Sequence, residues 1–244
     1  MKSALWVFLV LGMAALAGGP PSPPELSKIM PPDDLIAQVK VFHKSLFEMS
    51  VDEQSWQDNA HKVVRDAQTL AAVALMLGLY DSDHELKTAA PAVMDAAQAL
   101  SETKEYGAVQ AALNALNAAL DDRPAAAGAF QPRQVGTMGQ LMKQAGFANN
   151  RIRRGMRRIA DKTDENARDA AMLAAIGQAI VYDAEWAQRG GKAEQWYQLC
   201  GEMRDRAGKL NAAVRAADKE GTERTCQELE RTCNACHAMF RSAK

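Results

Sequence analysis

CQELERTCNACHAMFR, residues 226–241, contains the pattern from which the fold is predicted. Its cysteine and large apolar residues follow one another at steps of three, four, three and four: Cys226, Leu229, Cys233, Cys236 and Phe240. Residues at these steps lie along one side of an α-helix. The sequence therefore predicts a C-terminal helix that directs this side, with both closely spaced cysteines, into the interior of a helical bundle.

Within this segment, Cys233 to His237 spell C-x-x-C-H, the sequence at which haem is attached covalently in c-type cytochromes. The two thiols can add to the vinyl groups of haem, and the adjacent imidazole can coordinate the iron. Cys233 and His237 lie one helical turn apart, so they reach the same face of the haem together. We therefore expect one haem c, attached to Cys233 and Cys236, with His237 as an iron ligand.

The N-terminus predicts export from the cytoplasm. Lys2 precedes an apolar run from Ala4 to Leu16, and Ala15-Leu16-Ala17 ends in an A-x-A cleavage pattern. The run is shorter than the roughly 20 residues that cross a bilayer. We interpret residues 1–17 as a cleaved signal peptide and expect a periplasmic protein without a membrane span. An uncleaved membrane tether is the alternative.

Charge is distributed unevenly along the chain. The net charge of −1 weighs against broad binding to nucleic acid or to an anionic membrane surface. Residues 33–122 contain 15 acidic and 6 basic residues, whereas residues 133–162 contain 8 basic residues and one acidic residue. The chain therefore has an acidic front half followed by a basic segment, which includes the cluster Arg151, Arg153, Arg154, Arg157 and Arg158. This cluster could dock an acidic partner, contact haem propionates, face the acidic half or be solvated.

Abundant alanine and long periodic segments predict an all-α protein. The predicted helices are 33–49, 53–79, 84–101, 104–120, 135–160, 164–188, 192–218 and 221–242. A Pro-rich linker, residues 18–32, precedes them, and a second linker, residues 123–134, divides them. Each half has the layout of an antiparallel four-helix bundle, so we predict two bundles in tandem, 33–122 and 135–244, with haem c in the second.

The halves also resemble each other in sequence. Residues 65–72 (RDAQTLAA) match residues 168–175 (RDAAMLAA), and Tyr80-Asp81 recurs as Tyr182-Asp183. If the chain is a duplication, the final helix of the first half lacks the haem-binding cysteines. The first bundle would then be a copy without covalent haem.

Two further helices of the second half have apolar sides. One contains Trp196, Leu199, Met203, Ala207, Leu210 and Val214. The other contains Met138, Met142, Ala145, Asn149, Ile152 and Met156. A pocket between such helices can hold a large, flat apolar ring.

Residues 135–244 resemble the class II cytochromes c, the cytochrome c′ family. The resemblance lies in the C-terminal C-x-x-C-H, in Phe240-Arg241 after it, and in the spacing of Trp196 and Met203 before the last helix. It implies that His237 is the proximal iron ligand and that Arg241 is the basic residue beside it. A solvated Arg241, favoured by the helix dipole, is the alternative.

The opposite side of the iron would determine the function. Gln140-Leu141-Met142-Lys143 resembles the context in which low-spin members of the family supply a methionine ligand, and His/Met ligation serves electron transfer. Met142 could equally be ordinary core, leaving a five-coordinate iron that binds NO or CO. We expect an electron carrier rather than an enzyme, with a redox protein as its partner and either a monomeric or a homodimeric state. Gas binding or sensing is the alternative.

Other interpretations of the cysteines and histidines are weaker. A zinc site or a thioredoxin-like C-x-x-C has little support, because no common zinc spacing and no βαβ pattern accompany the cysteines. Cys200 and Cys226 lie too far apart along a helical hairpin for a disulfide, so we expect two buried thiols. His43 would align with Met142, but the first half has no predicted haem attachment site.

Overall fold

The computed structural model describes residues 19–122, 130–156 and 160–241. The expected signal peptide, residues 1–17, lies outside this part of the chain, and so do residues 123–129 of the second linker. The described residues are helical and contain no strand, which confirms the all-α prediction. Every helix among them is too short or too polar to cross a bilayer.

The first half contains four α-helices, each packed against the next. They are α1 (Asp33–Glu48), α2 (Glu53–Leu79), α3 (Ala90–Glu102) and α4 (Tyr106–Asp121). The side chain of Asp52 accepts a hydrogen bond from the N–H of Ser55, which caps α2 at the expected position. His43 of α1 is linked to Asn117 of α4 by a hydrogen bond of 2.7 Å, so its imidazole is used within the first half.

The described residues of the second half form four long α-helices and one short one. The short helix lies between the second and third long ones, and the last long helix carries the two cysteines of the motif. They are α5 (Met138–Gly155), α6 (Thr163–Ala179), α7 (Ala184–Gln188), α8 (Ala193–Arg215) and α9 (Lys219–Cys236). A π-helical turn, His237–Arg241, continues α9. Helix α6 packs against α5 and α8, and α8 packs against α9.

Several predicted helices differ from the observed ones, among them the first helix of the second half, predicted at 135–160 and observed as Met138–Gly155. The third begins at Ala90 rather than at residue 84, with Pro91 in its first turn. Proline lacks an N–H and is tolerated there but not in a helix interior. The helix predicted at 164–188 ends at Ala179, and Asp183 begins α7 by accepting a hydrogen bond from the N–H of Trp186.

Helices α2 and α6 lie at the centre of the molecule. Residues 66–78 of α2 and most of α6 are buried on all sides, and these helices contain the two matched segments, 65–72 and 168–175. Between the halves, α1 packs on α6, α5 packs on α2, and α2 packs on α6. Exchanging α1 and α2 with α5 and α6 leaves this set of contacts unchanged, as in a two-fold interface. One continuous apolar core therefore spans both halves.

Polar contacts join the halves at one end of this interface. Asp34 of α1 is buried and is paired with Arg215 of α8, whose Nη1 also lies 2.5 Å from Asp164 of α6. Asn211 donates a hydrogen bond of 2.8 Å to the same Asp34 carboxylate. The buried charge on α1 thus has both a cation and an amide of the second half as partners.

Candidate functional site

A cavity of about 590 Å³ lies between α5 on one side and α8, α9 and the π-helical turn on the other. Its volume is in the range of sites that hold small molecules and cofactors. The lining includes all five residues that the sequence identified as candidates: Cys233, Cys236, His237, Arg241 and, from the opposite wall, Met142.

Helix α9 and the turn after it supply one wall. The side chain of Asp218 caps the start of α9 by accepting a hydrogen bond of 2.9 Å from the N–H of Gly221. The helix was predicted to continue regularly to residue 242, but a π-helical turn begins at His237. π-turns occur frequently at functional sites. In this turn Phe240 is buried, His237 is half-buried and Arg241 is exposed.

The cysteines of the motif are half-buried thiols facing the cavity. Burial raises the pKa of Cys233 above its ordinary value and raises the pKa of Cys236 to about 11. Both thiols are therefore protonated at neutral pH. Cys200 and Cys226 are free and buried, as the helical-hairpin argument predicted, and burial raises the pKa of each.

His237 has the protonation state that an iron ligand requires. Burial, and secondarily the positive charge of Arg241, lower the pKa of this imidazole below its ordinary value. Its neutral form, which has a free lone pair, therefore predominates at neutral pH. Arg241 contributes to this state even though its own side chain is exposed.

Helix α5 has two inward sides rather than the single one that was predicted. Leu141, Gln144, Ala148 and Ile152 form the fully buried side. Met138, Met142, Ala145 and Asn149 are half-buried and line the cavity. Gly139 and Gly146 also line it, and a Cβ atom on either would meet no other atom within 4 Å. The apolar side that was predicted for this helix therefore consists mainly of residues that line the cavity, whereas Ile152 belongs to the packed side.

Three aromatic residues in contact with one another form part of the cavity lining. Trp196 is buried, and its indole N–H donates to the carbonyl of Ile180 at 3.1 Å. Its ring lies 5.1 Å from that of Phe240, in an edge-to-face arrangement, and 5.9 Å from that of Trp186, in a stacked one. Sequence reasoning missed Trp186 because it assigned this residue to the end of a long helix. The Tyr182-Asp183 pair just before it was the available signal of a break.

Helices α5 and α9 make few contacts with each other, because the cavity separates them. An ion pair joins them at the surface, with Arg153 Nη1 3.5 Å from Glu230 Oε1. Arg151 is also paired, with Asp169 of α6 at 2.5 Å. Two members of the basic cluster thus hold neighbouring helices, while Arg157 and Arg158 lie outside the described residues.

The residues around the cavity fit haem c. The walls are mainly apolar, the motif supplies two thiols and one neutral imidazole, and Lys143 and Arg241 are cations at the lining. The described residues contain no group of three or more His, Cys, Asp or Glu side chains that could hold a metal ion alone. Haem does not require such a group, since the porphyrin itself supplies four nitrogen ligands.

No protein-family model, curated protein sequence or solved structure matches this chain. The function is therefore inferred from the motif and from the cavity that it faces.

Proposed function

We propose that this protein is an exported c-type cytochrome that carries one covalent haem and transfers electrons. The observation that supports this proposal is the composition of the cavity. One wall contains the complete C-x-x-C-H motif, and the opposite wall contains a methionine. The space between them has a size and apolar character suited to a flat cofactor.

In this proposal Cys233 and Cys236 hold the haem through thioether bonds, and His237 is the proximal iron ligand. When bound, haem supplies a one-electron redox centre whose potential is set by its axial ligands and surroundings. Met142 would be the sixth ligand, and Arg241 is the basic residue beside His237, where its positive charge adds to the effect of burial in lowering the pKa of the imidazole. The apolar walls exclude water from the ligand atoms.

The proposal extends to the architecture and the location of the protein. The two halves are tandem four-helix bundles of the cytochrome c′ type, of which only the second carries haem. Residues 1–17 direct export to the periplasm and are then removed. The partner is another redox protein, which exchanges electrons with the haem edge.

The cofactor can be tested directly by producing the full chain together with a c-type maturation system. A pyridine haemochrome spectrum should show one covalent haem c per chain. The Cys233→Ser/Cys236→Ser variant should lose covalent haem, whereas Cys226→Ser, which changes a buried thiol outside the motif, should retain it. A wild-type chain without covalent haem, or a double variant that keeps it, would sink the proposal.

One feature of the α5 wall favours gas binding as a second candidate function. Gly139 and Gly146 leave open space beside Met142, so a small diatomic ligand could enter from this side. A low-spin ferric spectrum with a methionine–iron charge-transfer band would support the electron carrier. A high-spin spectrum with rapid CO uptake would support the gas-binding protein.

A further inference from the structure

The position of α5, which carries Met138 and Met142, depends on the first half of the chain. This helix packs against α2 and α6 but makes few contacts with α9 across the cavity. Direct packing on α9 therefore does not set the distance between the two cavity walls. Apart from the surface ion pair between Arg153 and Glu230, the packing of α5 on α2 and α6 sets it.

Gln68 of α2 fixes the point at which α5 begins. This buried side chain accepts two hydrogen bonds through Oε1, from the N–H of Thr137 at 2.9 Å and from the hydroxyl of Thr137 at 3.2 Å. Thr137 directly precedes α5, so its N–H has no acceptor within that helix. Gly136 approaches Gln68 so closely that a Cβ there would lie 3.0 Å from the Cβ of Gln68.

Charged residues of the first half reach α5 farther along. The guanidinium of Arg65 lies 5.0 Å from the centre of the Phe147 ring, within the range of a cation–π interaction. Arg151 donates to both carboxylate oxygens of Asp169 and is also attracted by Asp66 of α2. Contacts with the first half thus run from the start of α5 to Phe147, whereas Arg151 pairs with Asp169 of the second half.

We propose that Gln68 and Arg65 are positioning residues for the distal side of the haem site. Through them the first half, which has no haem motif, holds α5 and controls access to the sixth position of the iron. The inference rests on the proposed function, because a distal side exists only when haem is attached at Cys233 and Cys236. It gives the haem-less half a role beyond that of a spacer.

The test compares two substitutions in the full-length, haem-loaded protein. Gln68→Met keeps the length of the side chain but removes the acceptor for Thr137. Gln110→Met is the matched control, because Gln110 donates only to the Ser50 carbonyl and the Tyr106 hydroxyl within the first half. Hydrogen–deuterium exchange of α5 and the CO association rate are measured for both variants.

Gln68→Met should accelerate amide exchange at the start of α5 by roughly tenfold, because the N–H of Thr137 loses its acceptor. It should also increase the CO association rate by about threefold or more, whereas Gln110→Met should change neither quantity. Phe147→Ala removes the Arg65 contact through a ring that is 44% exposed, and it should change both quantities in the same direction. It provides a second measurement if Gln68→Met does not fold.

Two outcomes would contradict the inference in different ways. If haem is attached but neither Gln68→Met nor Phe147→Ala changes the CO association rate, the first half does not control access to the iron, even if the amides of α5 exchange faster. If the wild-type chain carries no covalent haem, the haemochrome spectrum shows this before CO is added. The proposed function and the inference then fail together.

Discussion

At the scale of single residues, Met142 distinguishes the two candidate functions. Its thioether lies on the cavity wall opposite Cys233 and His237, in apolar surroundings that favour a neutral sulfur ligand over water. Met142→Ala should convert a six-coordinate iron to a five-coordinate one, lower the reduction potential and open the distal side to CO. Absorption spectra and potentiometric titration measure these changes.

Met138→Ala is the matched control for Met142, because Met138 lines the same cavity one turn earlier on α5. This substitution should leave the iron ligation unchanged. If Met142→Ala retains the wild-type spectrum and potential, the methionine only fills space, and gas binding becomes the better-supported function.

At the scale of helices, the close approach of α6 to α8 depends on a glycine, Gly177, which has no side chain. Gly177 lies so close to α8 that a Cβ would meet the backbone nitrogen of Arg204 at 2.7 Å. Gly177→Ala should therefore force the helices apart and lower the free energy of unfolding by about 1–3 kcal/mol. Chemical denaturation measures the difference.

Gly201 provides the comparison within α8, because a Cβ there would meet only the end of the Arg204 side chain, at 3.6 Å. Gly201→Ala should raise the free energy of unfolding by roughly 0.5–1 kcal/mol, as expected for alanine in a helix interior. Equal effects of the two substitutions would show that backbone entropy, and not the close approach of α6 to α8, determines the outcome.

Helical periodicity predicted most helices to within a few residues, because it depends on burial of one side of each helix. It failed where local chemistry competes with that pattern. Pro91 delays α3, Asp183 begins a separate short helix, and the π-helical turn at His237 has no periodic signature. The side of α5 with Met138 and Met142 was predicted to line a pocket, but the packed side with Leu141 and Gln144 was not distinguished from it. Half-buried residues around a cavity and fully buried residues have the same sequence pattern. The five candidate residues were identified from the motif and from the resemblance to a known family; the structure places them around one cavity, and their roles stay predictions.

At the scale of the whole molecule, two buried carboxylates lie on the central helices where the halves meet. They are Asp66 of α2 and Asp169 of α6, which occupy the same position in the two matched segments. Burial raises the pKa of each above its ordinary value, although Arg65 opposes this at Asp66 and Arg151 opposes it at Asp169. The folded protein therefore retains protons on these groups at pH values where the unfolded chain has lost them.

This difference makes stability depend on pH in a direction opposite to that of ordinary paired carboxylates. The contribution of Asp169 is fully present below the pKa of the unfolded chain and is lost as pH rises through the raised folded pKa. Relative to wild type, Asp169→Asn should therefore become progressively more stable as pH rises across the mildly acidic range. Asp52→Asn should show the reverse trend, because the Ser55 N–H lowers the pKa of Asp52 in the folded protein. Urea unfolding of both variants and wild type at several pH values measures the two slopes. Slopes of the same sign would mean that the buried carboxylates at the interface between the halves do not control how the stability of the protein depends on pH.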